Sequence, residues 1–98
     1  MALALQSIPL INKEIIENLS FPKTEVLNDK VAIQERTENL HKATSLGNLH
    51  KHKVEILFED REGLKRVNTT IWAVLGQRIY LKGARIIPVQ RIHSVELD

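Results

Sequence analysis

One stretch limits what this chain can become. From Lys53 to Asp98 it reads KVEILFEDREGLKRVNTTIWAVLGQRIYLKGARIIPVQRIHSVELD, with apolar and polar residues alternating and turn residues recurring at short intervals. A period of two belongs to strands with one buried face, and closely spaced turns join antiparallel neighbours. The alternation opens with Val54, Ile56 and Phe58 set against Glu55, Leu57 and Glu59. Asp60-Arg61-Glu62-Gly63 reads as a hairpin loop, with Gly63 suited to a positive φ. The next strand is long, from Leu64 to about Val74. It sets Val67, Thr69, Ile71 and Ala73 on one face and Arg66, Asn68, Thr70 and Trp72 on the other. Gly76-Gln77 turns the chain into Arg78–Lys82, where Ile79 and Leu81 point inward, and Lys82-Gly83 turns it again into Ala84–Ile87. Pro88 has no N–H to give a ladder, so pairing is predicted to end there. Val89–Ile92 then makes one 3₁₀ turn, and His93–Leu97 is a short closing strand.

The first half carries a helical period instead. In Asn12–Leu19, Ile15, Ile16 and Leu19 share a helix face and Asn12 can cap it, while Phe21-Pro22 ends it. For residues 1–23 two readings stay open: a short packed helix, or a flexible extension. A longer helix is predicted from Thr24 to Leu46, most regular from Lys30, with Asp29 as N-cap. Ile33, Leu40, Ala43 and Leu46 form its apolar stripe. Glu35, Arg36, Glu38, Asn39 and Lys42 fill the opposite face, and Gly47-Asn48 is the stop. With 98 residues the chain has the size of one domain. The expected class is α+β: 24–47 helical, 51–98 a small five-stranded antiparallel barrel. Aromatics are only 4%, so the core must be aliphatic. It is predicted to hold Ile33, Leu40, Leu46, Val54, Ile56, Phe58, Val67, Ile71, Ile79, Leu81, Ile86, Ile92 and Val95.

Chemistry-bearing patterns are few. The absence of cysteine excludes disulfides and Cys-based metal sites. His50 and His52 lie two apart and point to one side, but a zinc site wants three or four ligands, so no metal site is predicted. Ser45, Ser94, Thr69 and Thr70 sit in no nucleophile motif, and the glycines mark turns rather than a phosphate loop. No catalytic residue, no cofactor and no small-molecule substrate is expected. The apolar start MALALQSIPLI lacks an early Lys or Arg, and no run reaches the ~18 apolar residues of a membrane helix, so a cytoplasmic chain with no membrane partner is expected.

Charge is unevenly placed. Residues 1–49 hold five Lys or Arg against six Asp or Glu, and residues 50–98 hold nine against six. Lys65, Arg66, Trp72, Arg78, Tyr80, Lys82, Arg85 and Arg91 form the candidate binding surface, since a cation beside an aromatic ring can hold phosphate while the ring stacks a base. Two functions are open. The first is a non-catalytic protein-interaction or self-association module, such as a homodimer. Its motive is the surplus of apolar residues Leu3, Leu5, Ile8, Leu10 and Ile11. The alternative is nucleic-acid binding by the basic, Trp- and Tyr-bearing sheet face.

Three motifs carry a resemblance over residues 40–98: Leu46-Gly47-Asn48, Phe58-Glu59-Asp60-Arg61-Glu62-Gly63 and Thr69-Thr70-Ile71-Trp72-Ala73. With them the chain resembles short uncharacterised bacterial proteins that have an N-terminal helix and an Sm-like small barrel. The ending IPVQRIHSVEL, with Arg91 in its 3₁₀ turn, is similar to the ends of such barrels. The resemblance implies a meander with a helix on the barrel's open side. It implies no activity, and the uridine-binding motifs of Sm proteins have no evident counterpart in this sequence.

Overall fold

The structure, a computed structural model, describes residues 7–97; Leu3, Leu5 and Asp98, which enter the readings above, lie outside the described residues. The chain is α+β. In order it forms β1 (Leu10–Ile11), a 3₁₀ helix (Lys13–Asn18), α1 (Lys30–His50), β2 (Val54–Asp60), β3 (Gly63–Thr69), β4 (Ile71–Leu75), β5 (Arg78–Leu81), β6 (Arg85–Pro88), a second 3₁₀ helix (Val89–Arg91) and β7 (Ile92–Leu97). The strands make two sheets, ordered β1-β3-β2-β7 and β4-β5-β6. This corrects the expected five-stranded closed barrel: there are seven strands among the described residues, and neither sheet closes on itself.

The division has a local cause. The strand expected from Leu64 to Val74 breaks at Thr70, and Thr69, Thr70 and Ile71 are all buried in succession. A continuous strand turns alternate residues to opposite faces, so three consecutive buried residues require the chain to bend out of its sheet. β3 therefore stays with β2, from Val54↔Thr69 to Asp60↔Gly63, and β4 enters the second sheet beside β5. A second irregularity follows at once. Ile71 pairs with Leu81 and Ala73 with Tyr80, leaving Trp72 as the extra residue of a β-bulge. The bulge changes the parity of β4: Ile71 is fully buried, but beyond Trp72 it is Val74, not Ala73, that packs against the core.

β2 realises the expected alternation, with Val54, Ile56 and Phe58 at 0% exposure. Against them lie Val67, Ile71, Ile79, Leu81, Ile92 and Val95, closed off by Leu40 and Ala43 of α1 and by Ile16. Burial of an aliphatic side chain of this size contributes about 1.5–3 kcal/mol. Ile86 is not part of the core, being 40% exposed, while Ile87 is fully buried. Ile87 pairs directly with buried Ile79, and residues opposite each other share a face; Ile86 lies opposite Tyr80 on the outer one.

The helix differs from expectation at both ends. Thr24–Asp29 is irregular rather than helical, tied across the second 3₁₀ helix by Val26 N–H to Gln90 O at 2.9 Å and by Arg91 to Thr24 O at 2.9 Å. Asp29 is the N-cap, its carboxylate accepting from Val31 N–H at 3.4 Å. At the far end Gly47 is no stop: α1 continues to His50 and is capped by Lys51, held left-handed at φ 54. The residues facing the sheets are Arg36, Leu40, Ala43 and Gly47, so Ile33 and Leu46 are only half-buried. Gly47 is there because nothing larger fits. A Cβ would lie 2.5 Å from Ile71 O and 2.9 Å from Thr70 Cγ2.

The described part of the N-terminal segment is packed. Asn12 caps its 3₁₀ helix, accepting from Glu14 N–H at 3.2 Å, and Ile16 is 1% exposed. β1, which the alternation did not announce, pairs in parallel with β3 through Leu10↔Arg66 and Ile11↔Val67.

Candidate functional site

Of the eight residues expected to form a binding surface, half are committed to holding the fold. Arg91 is 5% exposed; its guanidinium donates to Glu59 O at 3.0 Å and to Thr24 O and Oγ1 at 2.9 and 3.0 Å. Lys65 is half-buried and pairs with Asp60 at 2.7 Å. Burial pushes the Asp60 carboxyl up, but the hydrogen bonds from Lys65 and from the N–H groups of Glu62 and Gly63 outweigh it and hold the carboxyl below its usual range. Arg66 donates from Nε to Ile8 O at 3.0 Å, pinning the N-terminal arm, and faces Glu55 at 3.4 Å. Arg85 folds onto its own turn, reaching Gly83 O at 2.8 Å, with Glu17 at 3.8 Å. Tyr80 is half-buried on the outer face of the second sheet, and Arg78 is exposed at the β4–β5 turn. Trp72 and Lys82 are the two that come together, with partners outside the expected surface.

The bend at Thr70 and the bulge at Trp72 build this place. A bulge re-aims the side chain it carries, and Trp72, the sole tryptophan of the chain, is 49% exposed. Thr70 is the hub beneath it. Its backbone oxygen accepts from Lys82 N–H at 2.9 Å, and its hydroxyl donates to Lys51 O at 3.5 Å. Lys51, Thr70, Trp72 and Lys82 thereby line a hollow of about 200 Å³. A second hollow of about 240 Å³ shares Thr70 and Lys82 with the first and is walled by Leu10, Ile11, Asn12, Lys13, Lys53, Asn68 and Thr69. Each is smaller than the ~300 Å³ at which pockets begin to enclose a whole small molecule. They suit parts of a ligand.

Among the described residues four lysines line the two hollows, and no carboxylate or imidazole does. Among the described residues Lys13, Lys51, Lys53 and Lys82 make no ion pair, whereas Arg36, Lys65, Arg66, Arg85 and Arg91 each have an acid. Elsewhere the balance differs. A hollow of about 360 Å³ under α1 holds Arg36, whose guanidinium is already bound by Glu25 at 2.6 and 2.7 Å and donates to Ile92 O at 3.0 Å. Another, by the β2–β3 turn, sets Arg61 against Asp60 and Glu62. A third, of about 500 Å³, is mainly apolar, with Lys42 as its one cation. In the paired hollows the lysine amines can hold an anion and the Trp72 ring face can hold a planar group.

Lys13, Lys51, Lys53 and Asn68 lie outside the binding surface expected from the sequence. The run His50-Lys51-His52-Lys53 did contain a signal, two lysines two apart entering a strand, but Lys13 reaches the site only through the two-residue pairing of β1. No group of three or more His, Asp or Glu placed to hold a metal is found among the described residues. No helix of the described residues is long and apolar enough to cross a membrane. No family model matches this chain, and neither curated proteins nor solved structures yield a match.

Proposed function

We propose that this chain is a non-catalytic binding module for single-stranded nucleic acid. One observation carries the reading: a tryptophan pushed outward by a bulge stands beside hollows lined by four lysines that, among the described residues, have no ion pair and no acid beside them. An aromatic face stacks any base, contributing about 1–3 kcal/mol per base, while ammonium groups follow the phosphates. A single strand fits better than a duplex because Trp72 can stack only on a base free of its own neighbours. The cytoplasmic setting expected from the sequence agrees with such a ligand.

We read the fold in the same spirit. A helix, a long strand bent at its middle, a meander and a 3₁₀ turn before the last strand are the parts of an Sm-like small barrel, here as two sheets joined through Thr70. The test of function is anisotropy of a labelled deoxythymidine octamer over a range of salt. Four amines on phosphates give a log–log salt slope of about −3 for a single strand. Trp72→Ala should weaken binding roughly tenfold with the slope unchanged. Binding indifferent to salt, or to Trp72, overturns the proposal.

Self-association draws on a separate observation. Among the described residues β4 and β6 are the edges of the second sheet, and they expose Leu75 at 62% and Ile86 at 40%. Light scattering decides it: a mass above 11.2 kDa supports a second copy docking there, and a monomer at high concentration rejects it.

A further inference from the structure

We infer that the hollow between the β1 arm and the Thr69–Thr70 bend is a phosphate seat, taking the backbone phosphate next to the base that stacks on Trp72. The inference rests on the strand-binding reading and assigns roles within it. Three elements distant in sequence deliver the amines: Lys13 opens the first 3₁₀ helix, Lys53 precedes β2 and Lys82 follows β5. Folding brings these like charges to one hollow with no acid among the described residues lining it, an arrangement whose repulsion an oxyanion would relieve. Asn68 and Thr70 add an amide and a hydroxyl to the lining. Thr69 lies in the same wall at 2% exposure, and its hydroxyl finds no hydrogen-bond partner among the described residues. The outer wall is fixed as well, since Arg66 N–H donates to Pro9 O at 2.8 Å and its Nε to Ile8 O at 3.0 Å, holding the arm on β3. Because Thr70 and Lys82 line both hollows, a phosphate in one and a ring against Trp72 in the other are neighbours, as in one nucleotide.

Lys13 and Lys53 touch only the proposed seat, and Trp72 only the other hollow, so the parts separate experimentally. Two probes are used on the full chain: a deoxythymidine octamer followed by anisotropy, and inorganic pyrophosphate followed by amide chemical shifts of Asn68, Thr69 and Thr70. For Lys13→Gln and Lys53→Gln the expected result is about fivefold weaker octamer binding and a salt slope shallower by about 0.7 for each. Pyrophosphate should shift the three amides in the wild type, and these shifts should shrink in Lys53→Gln but persist in Trp72→Ala. If the octamer binds in a Trp72-dependent way while both lysine variants keep full affinity and slope, the seat is overturned and strand binding stands. If pyrophosphate shifts the amides in a Lys53-dependent way but no octamer binds, the anion site is upheld with a soluble phosphate compound as its source, and strand binding falls. Absence of any shift, together with unaltered variants, removes the inference.

Discussion

Replacing Gly47 by alanine puts the packing of α1 on the bend to a quantitative test. In an unobstructed helix interior the change would stabilise by about 1 kcal/mol, since alanine has the higher propensity. Here the new Cβ would stand 2.5 Å from the carbonyl oxygen of Ile71. Carbon–oxygen contacts settle at about 3.3 Å, so helix and strand must part by roughly 0.8 Å. The obstructing atom is backbone and cannot rotate away, and a gap of that size forfeits about a quarter to a half of the dispersion attraction across it. Leu40 and Ala43, on the same face of α1, lose their contact with it. Overpacking costs about 1–3 kcal/mol, and against a backbone atom that cannot move the cost lies in the upper part, about 2–3 kcal/mol, so after the propensity gain the net loss is about 1–2 kcal/mol. For a domain of this size that is a fall of roughly 5–15 °C in Tm. The assay is thermal unfolding by circular dichroism, with Ser45→Ala on the exposed face of the same helix as the control, expected to change little. A Gly47→Ala protein as stable as the wild type, or more so, would refute the close approach.

Lys51 sits at φ 54 where glycine is the usual residue, so Lys51→Gly should raise stability by about 1 kcal/mol while weakening octamer binding; a chemical-denaturation midpoint and an anisotropy titration read the two effects. Glu25 is held below its ordinary carboxylate range by its hydrogen bond to Arg36. Its contribution is therefore present above the unfolded-state value of 4.5 and is lost as pH falls through the lower folded-state value. Urea midpoints should fall across that acid window, and Glu25→Gln should flatten the dependence; an unaltered profile would show that the pair contributes nothing. Ile87→Ala should cost about 2–5 kcal/mol and Ile86→Ala under about 1 kcal/mol, a contrast that reverses if β6 sits one residue out of register.

Where a local rule decided the outcome, the sequence could be read. Asn12 and Asp29 announced their helices because an Asn or Asp side chain satisfies the first free N–H groups wherever it stands. Val54 to Phe58 announced β2 because one face is fully buried, and Pro88 marked the passage from strand to 3₁₀ turn. What stayed hidden depends on tertiary approach. Gly47 has the sequence appearance of a stop, but its partner is Ile71 O, 24 positions away along the chain. Arg36 and Arg91 look like solvated cations until Glu25, Thr24 and the backbone at Glu59 and Ile92 are seen to receive them. Ile86 and Ile87 cannot be told apart by composition; only the pairing of Ile79 with Ile87 chooses between them. The candidate site was half legible. Trp72 and Lys82 were named, but alternation alone cannot foresee a bulge, and Lys13 arrives through a pairing two residues long.

Trp72 supplies its own probe, because no other tryptophan emits. The most direct measurement is its fluorescence during titration with an unlabelled deoxythymidine octamer at low salt, repeated at high salt. Saturable quenching that moves to much higher octamer concentrations with added salt is the predicted result. Emission that does not change while the octamer is shown to bind elsewhere, or no binding at low salt, would contradict it.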